Sequence, residues 1–155
     1  MSARRGALFI GVVAIVAAGS CSVGGQPQIS VGNVRVGATR SETAAVYMNL
    51  ANTGDAGDAL VAVSCDCAGR SSMHLTDTTD GLSMMVQVKR IEVPAIQTVA
   101  FEPGAAHVML EDLEADLVTG SRLDLELEFA SSGPQTLQAR VVDLASLSEG
   151  VGLAG

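Results

Sequence analysis

The chain has 155 residues, room for one core of ordinary size, and it lacks Trp and carries one Tyr and three Phe, so that core must come mainly from Val, Leu, Ala and Ile. A formal net charge of -8, with no stripe of Lys or Arg able to neutralise phosphates, argues against nucleic acid as a partner.

The chain opens with a short positive stretch containing Arg4 and Arg5, followed by an apolar run from Gly6 to Ala18. That run is shorter than the roughly 20 apolar residues a membrane-spanning helix needs, so residues 1–20 read as an export signal peptide. Ala18-Gly19-Ser20-Cys21 resembles a bacterial lipoprotein cleavage box, in which the cysteine is acylated and becomes the new N-terminus. This implies a lipid on Cys21 and a protein held at the extracytoplasmic face of a bacterial membrane; ordinary cleavage with Cys21 left as a free thiol is the alternative. Cysteine arithmetic supports lipidation, because an exported chain with three Cys has an odd thiol unless Cys21 is used otherwise. Residues 21–27 then form a tether, 28–145 the folded domain, and 146–155 a small, Gly-rich tail with little reason to pack.

Within the domain, short alternating segments separated by turn residues predict strands. In chain order they are Ile29 to Val36, Ala44 to Ala51, Ala59 to Ser64, Ser72 to Thr76, Leu82 to Val88, Thr98 to Phe101, Ala106 to Leu110, Leu123 to Phe129 and Thr136 to Val142. Asn52 to Asp55, Asp77 to Gly81, Glu102 to Gly104, Thr119 to Ser121 and Ser131 to Pro134 carry turn chemistry. So many short strands predict an all-β antiparallel fold, either a two-sheet sandwich or a Greek-key barrel. Leu123, Leu125, Leu127 and Phe129 alternate with Asp124, Glu126 and Glu128, one buried face against one wet face.

Both His and four of the six Met lie between Met73 and Met109. Thioether sulfur is a neutral, polarisable ligand suited to Cu(I), and imidazole adds a stronger donor, so a Met/His set favours copper over zinc. Side chains of opposite parity in one strand face opposite sides. By that rule Leu82, Met84, Val86 and Val88 form an apolar face and Met85 lies on the other. His107 and Met109 oppose Val108 and Leu110, and His74 opposes Met73 and Leu75. His74, Met85, His107 and Met109 therefore project away from the core, whereas Met48, Met73 and Met84 belong to packing. A two-residue loop at Thr79-Asp80 would set His74 directly opposite Met85, with Cβ atoms about 5 Å apart. A loop displaced by one residue would break that pairing. Asp77 and Asp80 are most simply turn residues, with charge beside the site.

The order His74, ten residues, Met85, twenty-one residues, His107, one residue, Met109 matches H(M)-x10-M-x21-H-x-M. In this the chain resembles the PCuAC family of periplasmic copper chaperones, and the likeness extends to Tyr47 to Gly54, Asp58 to Val61 and Phe101 to Leu110. The resemblance implies a cupredoxin-like, immunoglobulin-like antiparallel Greek-key β-sandwich with an exposed Met/His site for Cu(I). It also implies a carrier without catalytic turnover, supplying the dinuclear copper centre of cytochrome c oxidase, with oxidase subunit II or a Sco-type thiol protein as the copper acceptor. No nucleophile and base arrangement suggests enzymatic chemistry. Two other readings stay open: a copper-buffering lipoprotein with no delivery partner, and a metal-free Ig-like interaction module.

Cys65-Asp66-Cys67 lies outside that motif. In an oxidising compartment the pair is expected to form a local disulfide; reduced, it would offer auxiliary thiolates to copper or a route for electrons.

Overall fold

Side chains alternating across extended chain can bury one face only against a second layer, and that requirement shapes the molecule. The computed structural model describes residues 24–79 and 81–148, so the expected signal segment, Cys21 and residues 149–155 lie outside the described residues. Ten strands follow in order: β1 (Ile29–Gly37), β2 (Thr43–Asn52), β3 (Asp58–Ser64), β4 (Ala68–Thr79), β5 (Leu82–Val88), β6 (Ile91–Val93), β7 (Gln97–Phe101), β8 (His107–Leu113), β9 (Arg122–Phe129) and β10 (Gly133–Val142). A short helix, α1 (Leu144–Ser148), follows them. All nine expected strands are present, and β6 is an addition.

The strands form one hydrogen-bonded path, β5-β4-β8-β2-β1-β10-β9-β3-β6, with β7 paired to β2 beside β8. The path doubles over so that its two halves enclose one core. Val46, Met48 and Leu50 of β2 share it with Leu60 of β3 and with Leu125, Leu127 and Phe129 of β9. The fold is thus an all-β sandwich, antiparallel except where β1 and β10 run parallel from Arg35↔Arg140 to Gly37↔Val142. Side-chain alternation fixes which face is buried but not which strand is the neighbour, so that parallel seam has no signature in the residue pattern.

β7 and β8 together act as one interrupted strand along β2. The first pairs with Met48 to Asn52 and the second with Thr43 to Val46. Between them the chain turns at Glu102 to Ala106, closed by Ala105 N donating to Glu102 O and Glu102 N donating to Ala106 O. This break sets the start of β8, and with it His107.

Two buried polar residues clamp one end of the sandwich. The Asn52 amide donates to Ala56 O and Val93 O and accepts from Gln28 N and Gly54 N, so its four hydrogen-bonding positions are filled. Asp58 accepts from Ala59 N at 2.8 Å, Ser131 N at 2.8 Å, Ser132 N at 2.9 Å and Ser132 Oγ at 2.6 Å, tying β3 to the β9–β10 turn. Burial alone would raise the Asp58 pKa, but these bonds outweigh it and hold the carboxyl below its usual value.

At the other end, α1 extends ordered packing past the boundary expected at Ala145. Asp143 caps it, accepting from Ser146 N and Ser146 Oγ, both at 2.9 Å. Leu147 is buried, and its side chain comes close to Gly37. Ser146, whose carbonyl accepts from Arg35, and Leu147 thus pack against the domain. Among the described residues, no helix is long and apolar enough to cross a membrane.

Candidate metal centre

The four soft donors sit on three adjacent strands, β5, β4 and β8. His74 of β4 pairs directly with His107 of β8, and Met109 pairs with Ser72 two residues away. Directly opposed residues in an antiparallel pair point to the same side. His74, His107 and Met109 therefore share one face, as does Met85, whose partner is Thr76.

The hairpin loop lies one residue further along than the loop considered above, which moves each cross-strand partner by two residues and keeps the face unchanged. Thr79 pairs with Leu82, so Met85 opposes Thr76 and His74 opposes Gln87. Asp80 lies outside the described residues; Gly81, just before Leu82, has φ +78°, a conformation glycine adopts freely. Met85 is consequently a diagonal neighbour of His74, a separation of about 7–8 Å between backbones that long side chains can close.

Exposure is graded across the face. Met85 is 69% exposed, His74 and Met109 are half-buried, and His107 is 6% exposed, so only the outer member stands free of the protein. His107 lies on a strand flanked on both sides, by β4 and β2, whereas β5 is the sheet edge. The imidazoles of His74 and His107 stack with centroids 5.4 Å apart and planes at 14°.

Their hydrogen bonds differ. His107 Nδ1 lies 3.4 Å from Ala105 O, which can only accept, so Nδ1 carries the proton and Nε2 keeps its lone pair. The same carbonyl accepts from Thr76 N at 3.2 Å and Thr76 Oγ1 at 3.1 Å. His74 Nε2 is 2.9 Å from Ser72 Oγ, and its Nδ1 is buried with no hydrogen-bond partner among the described residues. Burial pushes the His107 pKa down; the Ala105 carbonyl opposes this, and repulsion from His74 adds to it. The neutral imidazole is favoured.

Ser72 and Glu111 were not among the residues singled out from sequence. Ser72 Oγ lies 3.4 Å from Glu111 Oε1, and Glu111 pairs with Arg70. The Arg70 hydrogen bond is the main cause that holds the Glu111 pKa down. The parity rule would have found both, since Ser72 stands two residues before His74 and Glu111 two after Met109. Asp77, by contrast, pairs with Met84 on the opposite face.

Met84 does not enter the core: it is 63% exposed, with Leu82 at 71%. Its parity is that of Val88 and Met73, but the β4–β5 hairpin overhangs the second layer. The face is covered at Met73 and bare at its tip.

Cys65 and Cys67 form a disulfide with Cα atoms 5.1 Å apart. They precede Ala68, which pairs with Leu113, six residues along β4 from His74. At about 3.3 Å per residue this is roughly 20 Å from the His pair. The notion of auxiliary copper thiolates at this site is therefore set aside: an extended β4 carries the cysteines to the far end. Among the described residues no three His, Cys, Asp or Glu side chains gather as a cation cage; the sulfur-bearing side chains that share the face of the imidazole pair are Met85 and Met109.

An all-β sandwich of this kind is the fold of PCuAC domains. The apo PCuAC domain from PmoF1 superposes with a TM-score of 0.64 at 26% identity, covering 74% of this chain and 93% of that one. The solution structure of CuI-DR1885 from Deinococcus radiodurans gives a TM-score of 0.63 at 26% identity, covering 83% and 87%. The copper-bound PCuAC domain from PmoF2 gives 0.62 at 23% identity, covering 74% and 92%. Relatives of this domain are thus known with copper bound. Residues 29–141 match the family described as "Putative lipoprotein LpqE-like", and the chain belongs to this LpqE-like family. A further relative is uncharacterized protein RP573 of Rickettsia prowazekii (strain Madrid E), 29% identical over 100 residues; the chain covers 55% of that relative's length.

Proposed function

We propose that the domain is an extracytoplasmic Cu(I) carrier that holds one ion through His74, Met85, His107 and Met109. It would supply the dinuclear copper centre of cytochrome c oxidase, either at oxidase subunit II or through a Sco-type protein. The observation that supports the copper reading is the placement of these four side chains on one face of β5, β4 and β8, with a buried imidazole nitrogen among them that has no partner among the described residues. Thioether and neutral imidazole donors suit Cu(I), and the exposed edge position of Met85 leaves a route for ligand exchange with an acceptor. A carrier, rather than a catalyst, needs no more than this.

Lipidation at Cys21 fits the same reading. Met73, Val108 and Val46 lie on one rung, so counting up β4 and β2 brings Thr79 level with Asn52, which pairs with Ile29. The tether therefore joins the sandwich at the end that carries the copper hairpin. An anchor at Cys21 would keep the donors near the membrane, where an oxidase acceptor resides.

Anaerobic Cu(I) titration of the mature domain against a chromogenic competitor tests the site, with one equivalent bound as the expected result. Failure to compete, or binding unaltered by Met85→Ala, would overturn it. Transfer from the loaded domain to apo oxidase subunit II tests delivery; full retention of the ion would leave a copper buffer instead.

A further inference from the structure

A polar chain runs along the copper face behind His74. It links Arg70 to Glu111, Glu111 Oε1 to Ser72 Oγ at 3.4 Å, and Ser72 Oγ to His74 Nε2 at 2.9 Å. Ser72 is 8% exposed, so its hydroxyl has little access to water and its partners are these two groups. We propose that Ser72 and Glu111 are positioning residues that hold His74 as its Nε2–H tautomer, so that Nδ1 is the atom His74 presents to copper. The inference rests on the reading of His74 as a copper ligand.

The direction of each proton decides the argument. Paired with the Arg70 guanidinium, Glu111 is a carboxylate and can only accept. The single Ser72 hydroxyl proton therefore points to Glu111, and Ser72 Oγ meets His74 Nε2 with a lone pair. That fit requires a proton on Nε2. The opposite arrangement, with Ser72 donating to Nε2, would place a proton on Nδ1, which is buried without a partner. A buried N–H left without an acceptor loses its hydration and gains nothing in exchange, an arrangement folded proteins avoid. Both ends of the chain thus favour the same tautomer. A metal then supplies the partner that Nδ1 lacks, as is usual where the second nitrogen of a ligating histidine is fixed by an outer hydrogen bond.

His107 is set the other way: its Nδ1–H faces Ala105 O and its Nε2 is free. The two histidines would accordingly offer different ring nitrogens. A protein whose imidazoles were oriented only by the metal would show no such preference before loading.

Long-range 1H–15N correlation spectra of the apo mature protein at pH 8 read the tautomers without copper. His74 should show a protonated Nε2 and a bare Nδ1, and His107 the reverse. Ag(I), a diamagnetic mimic of Cu(I), should then shift Nδ1 of His74 and Nε2 of His107. Ser72→Ala should mix the His74 tautomers and weaken Cu(I) binding by roughly 10- to 100-fold, the range usual for lost outer-shell partners, while Ser72→Thr restores both. An Nδ1–H His74 in the apo protein, or a Ser72→Ala variant with unchanged tautomer and affinity, would overturn the proposal. Because the apo spectra need no metal, a protein that shows the expected tautomers yet binds no Cu(I) would refute the carrier reading, and with it the assignment of Nδ1 as donor, while the hydrogen-bonded orientation stands.

Discussion

Copper binding and folding should come apart at two of the four donors, because one is exposed and another is buried. Met85 is 69% exposed on an edge strand, so Met85→Ala should alter the stability of the apo protein by no more than about 0.5 kcal/mol. His107 is 6% exposed, stacks on His74 and donates to Ala105 O. Its removal forfeits about 1 kcal/mol for the hydrogen bond, about 1 for the stacked ring and a further term for the void, roughly 3 kcal/mol in all. At about 4 °C per kcal/mol for a domain of this size, the apo melting temperature of His107→Ala should fall by about 10 °C. Cu(I) at 100 times its dissociation constant adds about 2.7 kcal/mol to the wild-type protein, again about 10 °C. A variant weakened 100-fold would keep only about 0.4 kcal/mol of that. Circular-dichroism melts under anaerobic conditions, with and without Cu(I), separate the two effects: Met85→Ala should melt like wild type when apo and lose the copper increment, while His107→Ala should lose both. A full copper increment in Met85→Ala would remove that residue from the ligand set. A wild-type apo melt for His107→Ala would show that its packing was misjudged.

Proton competition gives a second prediction. The His107 pKa is lowered, mainly by burial, so this imidazole is mostly neutral at pH 6.5 and takes up its proton at lower pH than an ordinary histidine. Competitor titrations should find His107-dependent Cu(I) retention intact at pH 6.5 and declining at lower pH; a decline complete by pH 6.5 would contradict it. A third concerns Asp58, whose two carboxylate oxygens each face at least one backbone N–H, so Asp58→Asn sets an NH2 against a donor whichever way it turns. A loss of roughly 2–3 kcal/mol in chemical denaturation at pH 7 is expected. Because the folded pKa is depressed, the Asp58 contribution is complete above about pH 4 and disappears as pH falls through the folded value, so wild type and Asp58→Asn should converge in acid. The fourth is negative: Cys65→Ser with Cys67→Ser should leave Cu(I) affinity within about twofold, since the disulfide lies roughly 20 Å from the donors. A tenfold loss in that titration would place a cysteine at the site.

Much of this site could be seen in the residue order because strand parity is a local rule. It assigned Met85, His107, Met109 and His74 to one side without any knowledge of their neighbours, and the structure puts them on one face. Parity fails where distance matters. Met84 has core parity but lies beyond the reach of the opposing layer, and no periodicity states how far that layer extends. The hairpin loop was open to a one-residue displacement for a different reason. Asp80-Gly81 is a strong two-residue turn signal, because Gly81 can take the positive φ of +78° that the connection uses, and that signal outranks Thr79-Asp80. β6 escaped notice as three residues between Lys89-Arg90 and Pro94, too short for alternation to register. The Asp143 cap was legible, but one helical turn seldom declares itself by pattern.

The turn between β7 and β8 has an evolutionary corollary. His107 is aimed by the carbonyl of Ala105, an atom that every amino acid brings to that position. His74 is aimed by the hydroxyl of Ser72, which only a few side chains can supply. Substitution at position 105 should therefore leave the inner histidine's bearing intact, whereas drift at position 72 would loosen the outer one. Of the two imidazoles, one has its orientation written into the backbone trace and is the more portable: transplanting the Glu102 to His107 turn onto another sandwich would carry its geometry along, while the His74 half would have to be rebuilt side chain by side chain.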